Sequence, residues 1–387
     1  MEIKRRFFQA SETSFFLFGP RGTGKSTWLH AHLQDALLVD LLAPETYRLY
    51  AARPERLREL IAGNPAKDTV IIDEVQKLPE LLDVVHQLIE QHRSLRFVLT
   101  GSSARKLKRT GVDLLAGRAV LKTMHPFMAA ELGATFDLER ALRFGLVPLV
   151  VDSASPAEAL GAYAALYLRE EVQMEGLVRN VGNFSRFLEA ISFSHGSVLS
   201  VAAVARECQV ERKTVEGYID ILEDLLLCFR VPVFSKRAKR HLIAHPKFYF
   251  FDVGVFKSLR PSGPLDRPEE IHGSAIEGLV AQHLRAWNAY SGDHHTLFFW
   301  RTKSGREVDF VLYGPEGFWA IEVKNTRTIR PSDLSSLRVF KQDYPEAEVC
   351  LLYRGDERIE IQGIRCLPCG EFLQGLVPAR PLLSHTY

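Results

Sequence analysis

The residues in this chain whose types and spacing could do chemistry fall into two clusters, one toward each end. The first reads Gly19-Pro20-Arg21-Gly22-Thr23-Gly24-Lys25-Ser26-Thr27, with the apolar run Phe15 to Phe18 before it and a helix-forming run after it. Its spacing, a glycine, four residues and then Gly-Lys-Ser, suits a polyanion. Backbone N–H groups from Arg21 to Gly24 would wrap a β-phosphate that bulky side chains would obstruct, Lys25 would neutralise β/γ oxygens, and Ser26 would ligate Mg²⁺. A chance Gly-rich turn is the alternative, and the strand and helix signals on either side argue against it.

A partner for this loop lies at Thr69-Val-Ile-Ile-Asp73-Glu74. Its β-branched residues end in two carboxylates, the pattern of a buried parallel strand that delivers acids to the carboxyl edge of a sheet. Asp73 would hold Mg²⁺ through water, and Glu74 would orient or deprotonate an attacking water. The run Arg96 to Thr100 predicts a third strand, followed by Gly101-Ser102-Ser103, so Thr100 or Ser102 could sense a γ-phosphate or serve as a turn residue. Arg118, between a helix-like run and a further strand, has the position of an arginine finger acting on a neighbouring subunit, or of a surface salt bridge. Arg169 is a weaker candidate for a phosphate contact.

The second cluster lies in Arg-Glu-Val-Asp309-Phe-Val-Leu-Tyr-Gly-Pro-Glu-Gly-Phe-Trp-Ala-Ile-Glu322-Val-Lys324. Side chains alternate on a strand, so Glu322 and Lys324 must share a face, and Asp309 can meet them from the adjoining strand. Two carboxylates at one sheet edge would form an oxygen cage for Mg²⁺ or Mn²⁺, while Lys324 would offset charge on a phosphate. Glu277, on the otherwise apolar stripe Ile276, Val280, Leu284 and Trp287, would approach from its helix as a further ligand or as a group supporting the ligands. The alternative is an ion pair between Glu322 and Lys324 with Asp309 incidental, although charges on strands this apolar are costly without a task.

These clusters need more than one core to hold them. A chain of 387 residues predicts two or three domains, and 46% hydrophobic with 25% charged residues reads as soluble and globular. The net charge of +2 balances 49 basic against 47 acidic side chains, so affinity for nucleic acid must come from local patches. The N-terminal apolar run is too short for a signal peptide, and no stretch approaches the roughly 18 to 20 apolar residues of a membrane span. Five scattered cysteines fit a reducing cytoplasm, and Cys366-Leu-Pro-Cys369 without a second ligand pair reads as an ordinary loop before it reads as zinc.

Along the chain, residues 1–125 predict the nucleotide-binding core and 126–182 a set of short helices forming a lid. Residues 183–262 predict a winged helix-turn-helix. Within it Ser200 caps a helix from Val201 to Cys208, a turn covers Gln209 to Glu211, and apolar residues recur at helical spacing from Lys213 to Leu226. Strands from Cys228 to Phe234 and Lys247 to Phe251 enclose Lys236, Arg237, Lys239 and Arg240, a basic wing for DNA phosphates, with Arg212 and Lys213 as further contacts. Glu211, Glu216, Asp220, Glu223 and Asp224 make the second helix acidic, so a protein-binding module is the alternative. Residues 263–387 predict a further domain, in which the pattern from Glu269 changes to helix, strand, strand, helix, strand.

The segment from Gly305 to Thr326 resembles the E…D…ExK signature of the PD-(D/E)xK nuclease superfamily. Across the whole chain, the order of phosphate loop, VIIDEVQKLPELLDVV, FVLTGSSARKL, LAGRAV, HPF, HPKFYFFDVGV and FFWRTKSGREVDFVL resembles a family of prokaryotic AAA+-related P-loop ATPases with a C-terminal domain of unknown function. The resemblance implies an α/β chain: a P-loop AAA+-type parallel sheet with a helical lid, then a winged helix, then a PD-(D/E)xK nuclease-like α/β domain. It implies ATP and Mg²⁺ at Gly19, Gly24, Lys25, Ser26, Asp73 and Glu74, and nuclease residues at Glu277, Asp309, Glu322 and Lys324. Leu-Arg-Glu-Glu at 168–171 departs from the Arg-Asp common in that family. The expected function is a homo-oligomeric ATPase, a ring or another assembly, that moves or remodels DNA and carries a metal-dependent nuclease-like domain; the alternative is an ATP-driven switch or scaffold whose nuclease-like domain is inactive and binds a protein partner.

Overall fold

The computed structural model describes residues 4–102, 115–167, 181–236, 245–264 and 266–383. It divides into two compact units, one of Phe8–His125 with Glu223–Leu226, the other of Met1–Phe7, Pro126–Leu222 and Leu227–Tyr387. The wing residues Arg237, Lys239 and Arg240, and Arg169, lie outside the described residues.

In the first unit, strands β1 (Phe15–Phe18), β2 (Leu37–Asp40), β3 (Thr69–Asp73), β4 (Arg96–Gly101) and β5 (Val120–Thr123) form one sheet in the order β2-β3-β4-β1-β5. All four pairings are parallel. The sequence explains which strands are central: β1 and β3 are buried throughout, whereas β2 and β5 carry partly exposed residues as edge strands do. Helices α1 (Lys25–His32), α2 (Pro44–Ala52), α3 (Arg56–Ala62) and α4 (Leu81–Gln91) make the crossovers that parallel strands require. On α4, Leu81, Leu82, Val84, Val85 and Leu88 recur at helical spacing and are buried. Because β1, β3 and β4 run the same way, the segments after Phe18, Asp73 and Thr100 emerge at one sheet edge.

The second unit holds several short helices, among them Ala129–Leu132, Leu138–Phe144, Pro148–Val151 and Pro156–Ala162, and the longer Val181–Ser192. Ser200 caps the helix Val201–Cys208, its hydroxyl accepting the Ala203 N–H, and Gln209 then takes a left-handed backbone that turns the chain toward the helix Arg212–Asp224. The second helix was expected to reach Leu226 and ends two residues sooner. Strands β6 (Ser197–Val198), β7 (Cys228–Val231) and β8 (Lys247–Phe250) form a small antiparallel sheet in the order β6-β8-β7.

The buried helix Pro268–Tyr290 precedes a meander of β9 (Thr296–Arg301), β10 (Glu307–Gly314) and β11 (Gly317–Lys324). The helix Ser335–Asp343 carries the chain over to β12 (Glu348–Tyr353), which runs parallel to β11; β13 (Ile359–Ile361) and β14 (Ile364–Pro368) complete a six-stranded sheet. Trp300, Val308, Val311, Leu337, Phe340 and Leu351 lie in its core. Cys366 lies within β14 and Cys369 opens a short helix, both buried, and burial pushes their thiols up to about 11 and about 12. They pack as apolar side chains, and the segment is a strand-to-helix junction where a loop was expected.

Candidate nucleotide site and acidic centre

The loop after β1 is shaped by its glycines. A Cβ added at Gly19 would lie 2.5 Å from the Met124 carbonyl oxygen, so the chain leaves the sheet where only glycine fits. Gly24 has φ 89° and is the N-cap of α1, whose first amides therefore open onto the loop. Thr23 ties the turn, its amide and hydroxyl both donating to the Pro20 carbonyl at 3.3 and 2.8 Å. Lys25 is buried and donates to the Gly19 carbonyl at 2.7 Å. Ser26 reaches across to β3, its hydroxyl donating to Asp73 Oδ2 at 3.0 Å. Arg21 and Thr27 are exposed, Pro20 is buried and Gly22 intermediate.

At the end of β3, Asp73, the turn residue Glu74 and Thr100 of β4 form a polar cluster. The buried Thr100 hydroxyl donates to Asp73 Oδ1 and accepts the Glu74 N–H at 3.0 Å. Glu74 has a left-handed backbone, φ 60° and ψ 47°, which turns its carboxylate away from the strand direction. Gln76 was not singled out from the sequence, yet its amide nitrogen donates to Glu74 Oε2 at 2.5 Å and to the Ser102 hydroxyl at 3.3 Å. Nothing in Val75-Gln76-Lys77 signals this role, because it depends on the turn that Glu74 makes. Thr100 and Ser102 are thus engaged with Asp73, Glu74 and Gln76. Arg118 is exposed and pairs with Glu90. Lys236 lies in the other unit, exposed, with its ammonium 4.2 Å from the Tyr313 ring centre.

In the second unit, strand alternation brings Glu322 and Lys324 to one face, where they pair at 2.6 Å. Asp309 sits where β10 gains a residue against β9, between Val308 and Val311, a bulge that re-aims its side chain. One Asp309 oxygen accepts the Val323 N–H at 2.9 Å, and the other faces Lys247, not a second carboxylate. Lys247, on β8 and almost fully buried, was read from the sequence only as a strand residue. Its ammonium lies 2.8 Å from Glu277, 2.5 Å from Glu307 and 3.1 Å from Asp309. Tyr249, two residues on, donates to the same Glu277 oxygen at 2.5 Å.

Electrostatics follow from this packing. Burial opposes the charge on Lys247, but Glu277, Asp309 and Glu307 outweigh it and hold its pKa well above the ordinary lysine value. Burial, with Asp309 nearby, raises Glu277 to about 7 and Glu322 well above the usual carboxylate range. Among the described residues no group of three His, Cys, Asp or Glu side chains is arranged to hold a metal ion. The expectation of Mg²⁺ or Mn²⁺ on Glu277, Asp309 and Glu322 does not fit this geometry. An ammonium stands where Glu277 and Asp309 converge, and Glu322 is turned to Lys324.

A parallel sheet of this order, with a Gly-Lys-Ser loop after β1 and an acidic end on β3, separated from β1 by β4, defines a P-loop domain of the AAA type. In agreement, residues 11–133 match the family described as AAA domain. Residues 135–266 and 272–372 match two families described as domains of unknown function, DUF8612 and DUF4143. An uncharacterized protein of Mycobacterium tuberculosis is 27% identical over 356 residues, covering 89% of this chain and 77% of that protein. An uncharacterized protein of Haemophilus influenzae is 20% identical over 330 residues, covering 80% and 78%. AMPPCP-bound DnaA from Aquifex aeolicus aligns with 55% of this chain and 81% of its own, at 15% identity and a TM-score of 0.26. No described helix is long and apolar enough to cross a membrane.

Proposed function

We propose that the chain hydrolyses ATP and uses turnover to move or remodel DNA. The hydrolase reading rests on one observation above others: the 3.0 Å hydrogen bond from Ser26 to Asp73 joins the loop to the acidic strand end. A hydroxyl and a carboxylate oxygen at one point fit Mg²⁺, a hard cation that takes oxygen ligands. When bound with nucleotide, that ion would neutralise charge on the β- and γ-phosphates.

Each remaining role belongs to the chain's own groups. Lys25 would exchange the Gly19 carbonyl for phosphate oxygens of full charge, while the amides of the loop and of the start of α1 hold the β-phosphate. Glu74 would orient the attacking water and take its proton. Thr100 would act through Asp73 and Glu74, fixing both with one hydroxyl. Lys25→Ala should abolish ATP turnover and weaken binding, and Glu74→Gln should bind ATP yet not release phosphate, both read by phosphate release and nucleotide binding. Full turnover in Lys25→Ala would sink the reading.

The DNA reading is supported by the paired helices Val201–Cys208 and Arg212–Asp224 with the antiparallel sheet beside them, and by the basic run from Lys236 to Arg240. Its test is whether DNA raises the ATPase rate across a panel of linear and branched duplexes. A second reading, an ATP-driven switch whose C-terminal domain binds a protein partner and cuts nothing, is favoured by the ammonium of Lys247 among the acids. No stimulation by any nucleic acid would select it.

A further inference from the structure

We infer that Lys247 is the resident cation of the C-terminal acidic centre and closes that centre to divalent metal. A lysine ammonium has three N–H donors and no acceptor. Here it faces three carboxylates, Glu277, Glu307 and Asp309, at 2.5 to 3.1 Å, so the three donors match the three acceptors. These separations are those of charge-assisted hydrogen bonds, while Mg²⁺ draws its oxygens to roughly 2.0–2.1 Å.

The position of the ammonium is fixed by the backbone that carries it. Lys247 pairs with Val198 on β6 and with Val231 on β7, in the middle of its small sheet. Swinging the side chain aside would expose it from a site where it is almost completely buried. Tyr249 adds a second donor from the same strand to Glu277. Arg301 takes the other oxygen of Glu307 at 3.2 Å, and the Val323 N–H takes the other oxygen of Asp309. A metal entering here would have to displace donors that already occupy the inward oxygens of its ligands.

The grouping of Glu277, Glu307 and Asp309 is therefore the outline of a metal site filled by a side chain from β8, with Glu322 held apart by Lys324. Removing that side chain should open it. The inference stands apart from the ATPase reading, since none of its residues belongs to the nucleotide site.

The test is a Mn²⁺ titration of the full-length protein without nucleotide, followed by the electron paramagnetic resonance of free Mn²⁺. All variants carry Asp73→Asn, so that the nucleotide site does not contribute. With Lys247 in place, no uptake that depends on Asp309 is expected at millimolar Mn²⁺. Lys247→Met should gain one equivalent, lost again when Asp309→Asn is added. Because three facing carboxylates strain the fold, Lys247→Met is paired with Lys247→Met/Glu277→Gln, which relieves part of the repulsion. Asp309-dependent uptake of one equivalent while Lys247 is present overturns the inference whatever the variants do, and so does a folded Lys247→Met that takes up none.

Discussion

In the proposed hydrolysis the nucleotide chemistry turns on Glu74, whose backbone is held in the left-handed region at φ 60°. A side chain there costs about 1–2 kcal/mol, a strain kept only where surrounding contacts enforce it. Thr100 and Gln76 supply those contacts, at the amide and at the carboxylate. Gln76→Leu should therefore leave ATP affinity within about two-fold and lower turnover by roughly 10- to 100-fold, a barrier increase of about 1.4–2.7 kcal/mol. Steady-state kinetics alongside nucleotide binding check this; equal losses in both would make Gln76 a packing residue. The placement of the loop after β1 and of the acids closing β3 was legible because each is written in consecutive residues. Gln76 was not, because its partners come from a turn and from the residue that follows β4, and Lys247 was not, because a lysine at a strand's start is commonplace.

At the scale of elements, the helix Pro268–Tyr290 is buried along much of its length and carries a neutral histidine inside. His283 accepts the Ala129 N–H at its Nε2, 2.9 Å away, and its Nδ1 lies 2.7 Å from the Leu279 carbonyl, so it donates there. Burial lowers its pKa from 6.5 to about 4. The unfolded chain thus binds a proton between those values that the folded chain refuses, and stability from this group is full above pH 6.5 and lost as pH falls toward 4. The loss is about 1.4 kcal/mol per pH unit. His283→Gln should unfold more readily than wild type at pH 7.5, and the gap in denaturant midpoint should narrow as the pH falls. A constant gap would count against this account. The strand pattern likewise told which face Glu322 and Lys324 share, whereas the bulge at Asp309 depends on the count of residues in β9 and could not be read from β10 alone.

Arg118 is exposed at the surface of its unit, paired only to an exposed Glu90 among the contacts described, and such pairs contribute about 0–1 kcal/mol. If it completes a neighbour's site, Arg118→Ala should lower turnover by about 10³-fold at concentrations where the chain self-associates, with its melting point nearly unchanged. Mixed with wild type, it should reduce activity more than dilution does; strict proportionality would return Arg118 to a surface role. Replacing Lys236, Arg237, Lys239 and Arg240 with alanine should weaken DNA binding alike on all sequences, and each lost phosphate contact should reduce the salt slope by roughly 1. Affinity and slope equal to wild type would favour the protein-partner reading.

The lysine of β8 also ties together parts of the chain that are distant in sequence. Val323 gives its N–H to Asp309, Asp309 and Glu277 hold Lys247, and Lys247 belongs to a strand paired on both sides. Opening any one of these exposes an uncompensated charge, so the β8 sheet and the β10–β11 hairpin should unlatch together. In native-state hydrogen exchange, the Val323 amide and the amides of β8 should then report one opening free energy, a single cooperative unit spanning two sheets.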